Sequence, residues 1–326
     1  MAKIQVGLDI GTNSAKISAI EKRRGNISLT ACGIKDIPPN SEFDDWVEYL
    51  KKLRKESGIS QREVKISVSG SNIITRYVMM PVMPKKALIN SLKFEFDKYI
   101  PFPMNECIVD FDILDKVNNK MNVLIISAKK YYIEERIRLI RQSGLAPLHI
   151  TVDSLALHKA FSISPYMTKN DAFIILNIGT SVTNLVIINN GISIFSRDIN
   201  TAGNSFTKAI AEEKGISFSE ADKLKKTEED FSSLNQMSID LNSLINETSL
   251  SIEYAKKSYR LNTIKAVYIG GGSSRLTGIK ERLEEGLGVK VDFWNPFIKI
   301  GKNKQVSKLV ENSYQKLVLS LGIALS

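Results

Sequence analysis

From Ile4 to Ile20 the chain reads IQVGLDIGTNSAKISAI: an apolar run, a turn of small residues from Gly11, then a second run with alternate apolar positions. Ala172 to Ile188, AFIILNIGTSVTNLVII, repeats the pattern without gaps at a constant offset of 168, with Ile-Gly-Thr shared. Each copy predicts a β-hairpin. A further strand follows each, Asn26 to Cys32 after the first and Gly191 to Arg197 after the second. Two β-meanders therefore open two related halves.

Between and after them the period becomes helical. Lys85 to Tyr99 follows Pro84, sets Leu88, Leu92, Phe96 and Tyr99 on one face, and stops at Pro101 and Pro103. Val123 to Ala128 reads as a strand, and Tyr132 to Gln142 as an amphipathic helix closed by Gly144. A small α+β unit is expected there, the competing reading being a plain continuation of the first domain. Phe206 to Asn262 is predicted helical, with Leu241, Leu244, Ile245, Thr248, Ile252 and Ala255 at the spacing of a buried face. A strand from Ile264 to Ile269 leads into Gly270, Gly271 and Gly272 and then a helical stretch, Leu276 to Leu287. Tyr314 to Leu325 reads as a last core helix.

At 326 residues the chain has length for roughly two domains. Its 43% hydrophobic and 25% charged residues are globular values and exclude wholesale disorder. The net charge of +10 favours anionic partners without choosing among them. Two cysteines, Cys32 and Cys107, exclude a disulfide framework, and two histidines, His149 and His158, nearly exclude a His-rich zinc site. The basic run Lys51 to Lys55 fits an exposed helix face better than a nucleic-acid patch, since no interleaved aromatics accompany it. No signal pattern opens the chain, and no apolar run approaches the roughly 18 residues of a membrane helix, so a cytoplasmic protein without direct membrane insertion is expected.

The glycine turns carry the candidate chemistry. Gly11, Thr12 and Asn13 let successive backbone N–H groups converge on an anion. Asp9 stands beside them, and a carboxylate repels phosphate unless a cation lies between. That spacing suits Mg2+ held by Asp9 through water, with Lys16 answering phosphate directly. The alternative is an Asp9 that simply satisfies turn amides. Strand, glycines, then helix at Ile269 to Gly278 is a nucleotide-approach geometry. Arg275 stands where a dinucleotide fingerprint has its third glycine, and no GxxxxGK[ST] loop exists. A Rossmann dehydrogenase and a P-loop ATPase are therefore disfavoured.

These three turns, in this order and spacing, resemble the actin-like ATPase superfamily over nearly the whole chain. Five further segments resemble its PilM-type pilus assembly proteins: Met80 to Pro84, Lys98 to Pro103, Gly144 to Pro147, Val152 to Leu157 and Ser217 to Lys226. The resemblance implies an α/β, actin-like (ribonuclease H-like) fold. Its two domains carry duplicated mixed five-stranded sheets flanked by helices, with a small α+β subdomain inserted in the first. The expected division is 1–78 for the first core, 79–150 for the insertion, 151–170 for a returning helix and 171–326 for the second domain. Within the last, 206–263 forms a helical upper subdomain and a helix over 307–325 packs on the first domain.

The resemblance further implies ATP and Mg2+ as ligands. Gly7 to Lys16 would be the first phosphate loop, contributing Asp9, Gly11, Thr12, Asn13 and Lys16, with Asp9 holding Mg2+ through water and standing as the one catalytic candidate. Leu176 to Asn184 would be the second, contributing Asn177, Gly179, Thr180 and Ser181. Gly203, Asp222 and Lys225 would join them, and Tyr268 to Thr277 would be the adenosine loop, with Gly270, Gly271, Gly272 and Ser273. Asn177 stands where the family has an aspartate, so a weak ATPase at most is expected. Ala202-Gly203 replaces a glycine pair, adding one methyl at that edge.

The implied partner is the short N-terminal cytoplasmic tail of a single-pass inner-membrane pilus protein, which would make this chain peripheral at that membrane. Met80, Val82, Phe94, Tyr99 and Phe102 would wall its groove. Self-association is a further expectation and nucleic acid is not a partner. Rival readings are an FtsA-like polymerising protein, disfavoured because no appended amphipathic helix follows Leu325, and a small-molecule kinase of the same superfamily.

Overall fold

In the computed structural model, which describes residues 4–227, 231 and 234–326, both repeated segments form antiparallel meanders. The first comprises β1 (Ile4–Ile10), β2 (Ser14–Arg23) and β3 (Asn26–Asp36), followed by α1 (Phe43–Glu56) and β4 (Glu63–Val68). A small antiparallel sheet comes next, built from β5 (Ile73–Pro81), β6 (Cys107–Val117) and β7 (Lys120–Lys129) in the order β5-β7-β6. Helices α2 (Lys85–Phe94) and α3 (Phe96–Tyr99) cover one face, where Leu88, Leu92 and Phe96 meet Met121, Val123 and Ile125. The chain then returns through α4 (Lys130–Gln142), β8 (Ala146–Val152) and α5 (Asp153–Ser162).

The second half repeats the plan with β9 (Ala172–Ile178), β10 (Thr183–Asn189) and β11 (Ile192–Ile199). Three helices follow, α6 (Gly203–Lys214), α7 (Phe218–Leu224) and α8 (Asn235–Tyr259). The segment expected to be helical, Phe206 to Asn262, includes 228–230 and 232–233, which lie outside the described residues. Strand β12 (Ala266–Gly270), α9 (Ile279–Leu287), β13 (Val291–Phe293), β14 (Gly301–Lys302) and α10 (Lys304–Leu325) complete the chain.

The main sheets run β14-β3-β2-β1-β4-β8 and β11-β10-β9-β12-β13, each a meander on one side and two parallel strands on the other. The duplication thus extends from the hairpin to the whole sheet. One difference from the expected five strands is β14, where the returning chain lays two residues alongside Ser28 and Leu29.

The insertion also differs in its bounds. Its sheet spans 73–129 rather than 79–150, because β8 pairs with β4 and α4 buries Leu139 and Ile140 among Leu50 and Leu53 of α1. The helix expected over Lys85 to Tyr99 is broken at Glu95, whose backbone is not helical (φ −97°, ψ 15°).

Each main sheet buries both faces. In the second, Ile174, Leu176 and Ile178 face the α6, α8 and α9 layer, while Phe173 and Ile175 face Phe161 of α5 and Ile323 of α10. Helix α10 lies so close to β1 that a Cβ on Gly7 would sit 2.2 Å from Ser320 O. Gly7, expected at the head of a phosphate loop, is therefore demanded by helix packing. Among the described residues no helix is long and apolar enough to cross a membrane.

Candidate functional site

The first turn is closed by Gly11 N donating to Ser14 O (3.1 Å), and Ile37 N donating to Asn13 O (2.9 Å) clamps it to the end of β3. Asp9 and Lys16 are cross-strand partners, so their side chains share one face. Lys16 Nζ lies 3.1 Å from Asp9 Oδ2, with both side chains mostly buried. Gly11 leaves room for that ammonium, since a Cβ there would stand 3.1 Å from Nζ. Thr12 is exposed at the tip.

The second turn has the same build, with Gly179 N donating to Val182 O (3.0 Å). Asn177 and Asn184 occupy the places of Asp9 and Lys16, and an amide pair replaces the ion pair. Asn177 Nδ2 donates to Asn184 Oδ1 (3.0 Å), and Asn184 Nδ2 donates to Asp198 Oδ1 (2.9 Å). The turn is tied to the start of α6: Gly203 N donates to Gly179 O (3.0 Å), Asn204 N to Thr180 O (2.7 Å) and Asn204 Nδ2 to Ser181 Oγ (3.2 Å).

The glycine run after β12 packs onto that turn. Gly271 is left-handed (φ 89°), and a Cβ there would lie 2.4 Å from Ile178 O. A Cβ on Gly203 would lie 2.1 Å from Ser273 Oγ, so this approach needs Gly203 and not the residue before it; the Ala202 methyl is buried. Gly270 faces the Trp294 indole, and Gly272 faces the stem of Lys316. The second turn, the α6 start and Gly270 to Ser273 thus converge.

Asp222 and Lys225 come to the same place with their charges committed. Lys225 Nζ donates to Gly203 O (2.9 Å) and Thr207 Oγ1 (2.5 Å) and pairs with Asp222 Oδ1 (3.1 Å). Burial lowers the Lys225 pKa, against the pull of Asp222. Burial pushes the Asp222 carboxyl up, but Lys226 and Lys225 outweigh it and hold it below its ordinary value. With three partners on one ammonium, Lys225 holds the α6 start and has no hydrogen left for a ligand.

Two further residues lie near these turns. Asp153, first residue of α5, accepts from Ser67 Oγ (2.5 Å). Burial, then the nearby Asp9 carboxylate, raise its pKa to about 6, with Ser67 and Ser69 opposing and Asp198 adding. Lys316 rises from α10 just past a kink at Ser313, beside Gly272. Burial lowers its pKa, Asp36 opposes, and the cations of Lys226, Arg275 and Lys16 lower it further. The signal for Lys316 was a lone cation opening a buried apolar run; for Asp153 it was an acid at a strand-to-helix junction.

These groups fit a polyphosphate. Lys16 and Lys316 supply positive charge, and glycines floor both turns. Among the described residues no three His, Cys, Asp or Glu side chains converge as a metal cage. The oxygens of Asp9 and Asn177 suit a hard cation that keeps its waters and shares phosphate oxygens, as Mg2+ does.

A model of the type IV pilus assembly protein PilM family matches residues 7–326. The chain belongs to this family. Among solved structures it is similar to a PilM-PilN type IV pilus biogenesis complex, with TM-score 0.87 and 24% identity over 98% of this chain and 97% of that one. It is also similar to the ethanolamine utilization protein EutJ from Carboxydothermus hydrogenoformans, with TM-score 0.57 and 17% identity over 99% and 89% of the two chains. A nucleotide-free diol dehydratase-reactivating factor matches with TM-score 0.56 and 9% identity over 99% of each chain. The fold is actin-like, as the resemblance of the three turns implied.

The residues expected to wall a groove for a family partner do not form one surface. Met80 lies in the core of the small sheet with Leu88, Phe96 and Met121, because it falls on the face that α2 covers. Tyr99 and Phe102 are half-buried on that same core, and Lys129 Nζ sits 4.7 Å above the Phe102 ring. Val82 is exposed, and Phe94, at the helix break, is 93% exposed. Met79, beside Met80, is also exposed, and Met104, Ile108 and Val109 are exposed apolar side chains on the same insertion that the sequence pattern did not single out.

Proposed function

We propose that this chain is a nucleotide-gated scaffold of type IV pilus assembly. It binds Mg·ATP between its two meander turns and holds the short N-terminal cytoplasmic tail of a single-pass inner-membrane pilus protein. The reading rests on one observation: the glycine turns, Lys16, Lys316, Asp9 and Asn177 lie near one another. Asp9 and Asn177 would hold the waters of a hard cation, Lys16 would pair with phosphate in place of Asp9, and Lys316 would add positive charge beside the bound phosphates. An amide at 177 accepts a hydrogen bond but takes no proton, so hydrolysis is slow or absent. The exposed apolar side chains of the insertion, among them Val82 and Phe94, support tail capture by contact with an extended segment. Association with the membrane then runs through that partner.

Calorimetry of Mg·ATP added to the protein, followed by a synthetic peptide of the tail, tests both parts. The expected result is nucleotide binding near micromolar, about −8 kcal/mol, without continuing heat, and tail binding that changes with nucleotide. Sustained heat of turnover would return an enzyme to the front. Absence of any nucleotide heat would remove the gating role.

A further inference from the structure

Asn177 is the point at which the two halves differ chemically, and its amide has two unlike ends. Which end is free decides whether it can stand in for a carboxylate. The structure assigns that choice to Asn184 and Asp198. A carboxylate only accepts hydrogen bonds, so Asp198 Oδ1 must face the Nδ2 of Asn184, and does at 2.9 Å. Asn184 Oδ1 is thereby turned toward Asn177, whose Nδ2 donates to it at 3.0 Å. Asn177 Oδ1 is left as the free end, and among the described residues no donor reaches it. Both asparagines are buried, at 7% and 3% exposed, which limits competition from water for these bonds. Asp198 is fixed in turn, because Gly70 N donates to its second oxygen at 2.6 Å.

We propose that Asn184, anchored by Asp198, is a positioning residue that holds Asn177 with its carbonyl oxygen available to the hydrated cation of a bound nucleotide. The second half then offers an oxygen where the first offers Asp9, without the negative charge. The proposal rests on the nucleotide reading above. It also explains why an amide is tolerated at 177: a neutral oxygen serves as an acceptor provided that the amide cannot flip.

The test is the ratio of ATP affinity measured with Mg2+ to that measured in EDTA, for the wild-type chain and three variants. Asp198→Ala changes an exposed residue and releases Asn184, so Asn177 flips freely and the ratio falls several-fold, while affinity in EDTA stays as it was. Asn184→Ala gives the same split and serves if the first variant folds poorly. Asn177→Asp added to Asp198→Ala restores the ratio, since both carboxylate oxygens accept and orientation no longer matters. An unchanged ratio in Asp198→Ala and Asn184→Ala overturns the proposal, as does failure of Asn177→Asp to restore it. If wild-type protein binds no ATP under either condition, the nucleotide reading falls and takes this proposal with it. Binding with no sensitivity to these variants removes the positioning role alone.

Discussion

At Asp153 burial and two nearby carboxylates act in the same direction, raising its pKa from an ordinary 3.8 to about 6. The unfolded chain therefore releases this proton at lower pH than the folded one. Between about pH 4 and 6 the folded state binds more protons, so stability falls as pH rises through that window. Asp153 is half-buried, so about 2 kcal/mol is a suitable allowance for the loss. Asp153→Asn is expected to be more stable than wild type at pH 7.5 and to lose that advantage near pH 4, in urea unfolding of ligand-free protein. Curves that stay parallel across pH would show that the carboxylate carries no such cost. Lys316 carries the opposite expectation for ligand. Lys316→Gln removes a cation crowded by Lys226, Arg275 and Lys16, so stability holds or rises while Mg·ATP affinity falls about tenfold, or ~1.4 kcal/mol. A variant that loses stability and keeps affinity would make Lys316 a packing residue. Asp9, Gly11 and Lys16 could be read from sequence because one turn brings them together. Asp153 and Lys316 could not, because their character comes from neighbours supplied by distant segments.

Helix α10 depends on two close approaches. A Cβ on Gly322 would lie 2.0 Å from Ala156 O of α5, just as one on Gly7 would strike α10 from β1. Both obstacles are backbone atoms, which cannot swing aside. Gly322→Ala is therefore expected to destabilise by about 3 kcal/mol, measured by urea unfolding. Gly272→Ala is the control, because the nearest atoms to its Cβ are 3.9 Å away on the flexible Lys316 side chain. Equal losses in the two would deny that the α10 contact is special. The same element scale shows what sequence pattern can convey. A turn and two strands repeated at fixed spacing announced both meanders, since hairpin pairing is local. Strand β8 was not placed, because its sequence, APLHITV, shows no clean alternation and its place depends on a parallel partner, β4, across the whole insertion. The break at Glu95 was hidden for a different reason: Leu88, Leu92 and Phe96 keep helical spacing on both sides of it.

Across the whole molecule, the insertion meets the first domain through an apolar seam, where Ile73, Ile126 and Ala128 pack with Val68, Ile133 and Val152, and polar bonds tie it and the loop before it to the second domain. Gly70 N reaches Asp198, and the Tyr77 hydroxyl of β5 donates to Ser196 Oγ (3.0 Å) and bonds Ser193 Oγ (3.1 Å) on β11. Burial raises the Tyr77 pKa despite both serines, so the hydroxyl stays protonated and the bridge persists across physiological pH. The ring stands 6.3 Å from Phe195, whose ring lies 5.1 Å from that of Tyr254 of α8 at a tilt of 47°, so an apolar contact survives if the hydroxyl is removed. Tyr77→Phe isolates the polar part. It leaves Ser193 and Ser196, both nearly inaccessible, short of a partner, at a cost of about 1–3 kcal/mol. If the bridge carries this cost, Ser196→Ala added to Tyr77→Phe costs less than the sum of the single changes, by about 1 kcal/mol. Amide exchange along β5 should quicken in Tyr77→Phe while β1 and β9 keep their protection, because those strands lie in main-sheet cores that the bridge does not touch. Additive energies with unchanged exchange in β5 would mean that the Tyr77 hydroxyl adds nothing, and that β5 is held against β11 by the ring contact of Tyr77 with Phe195.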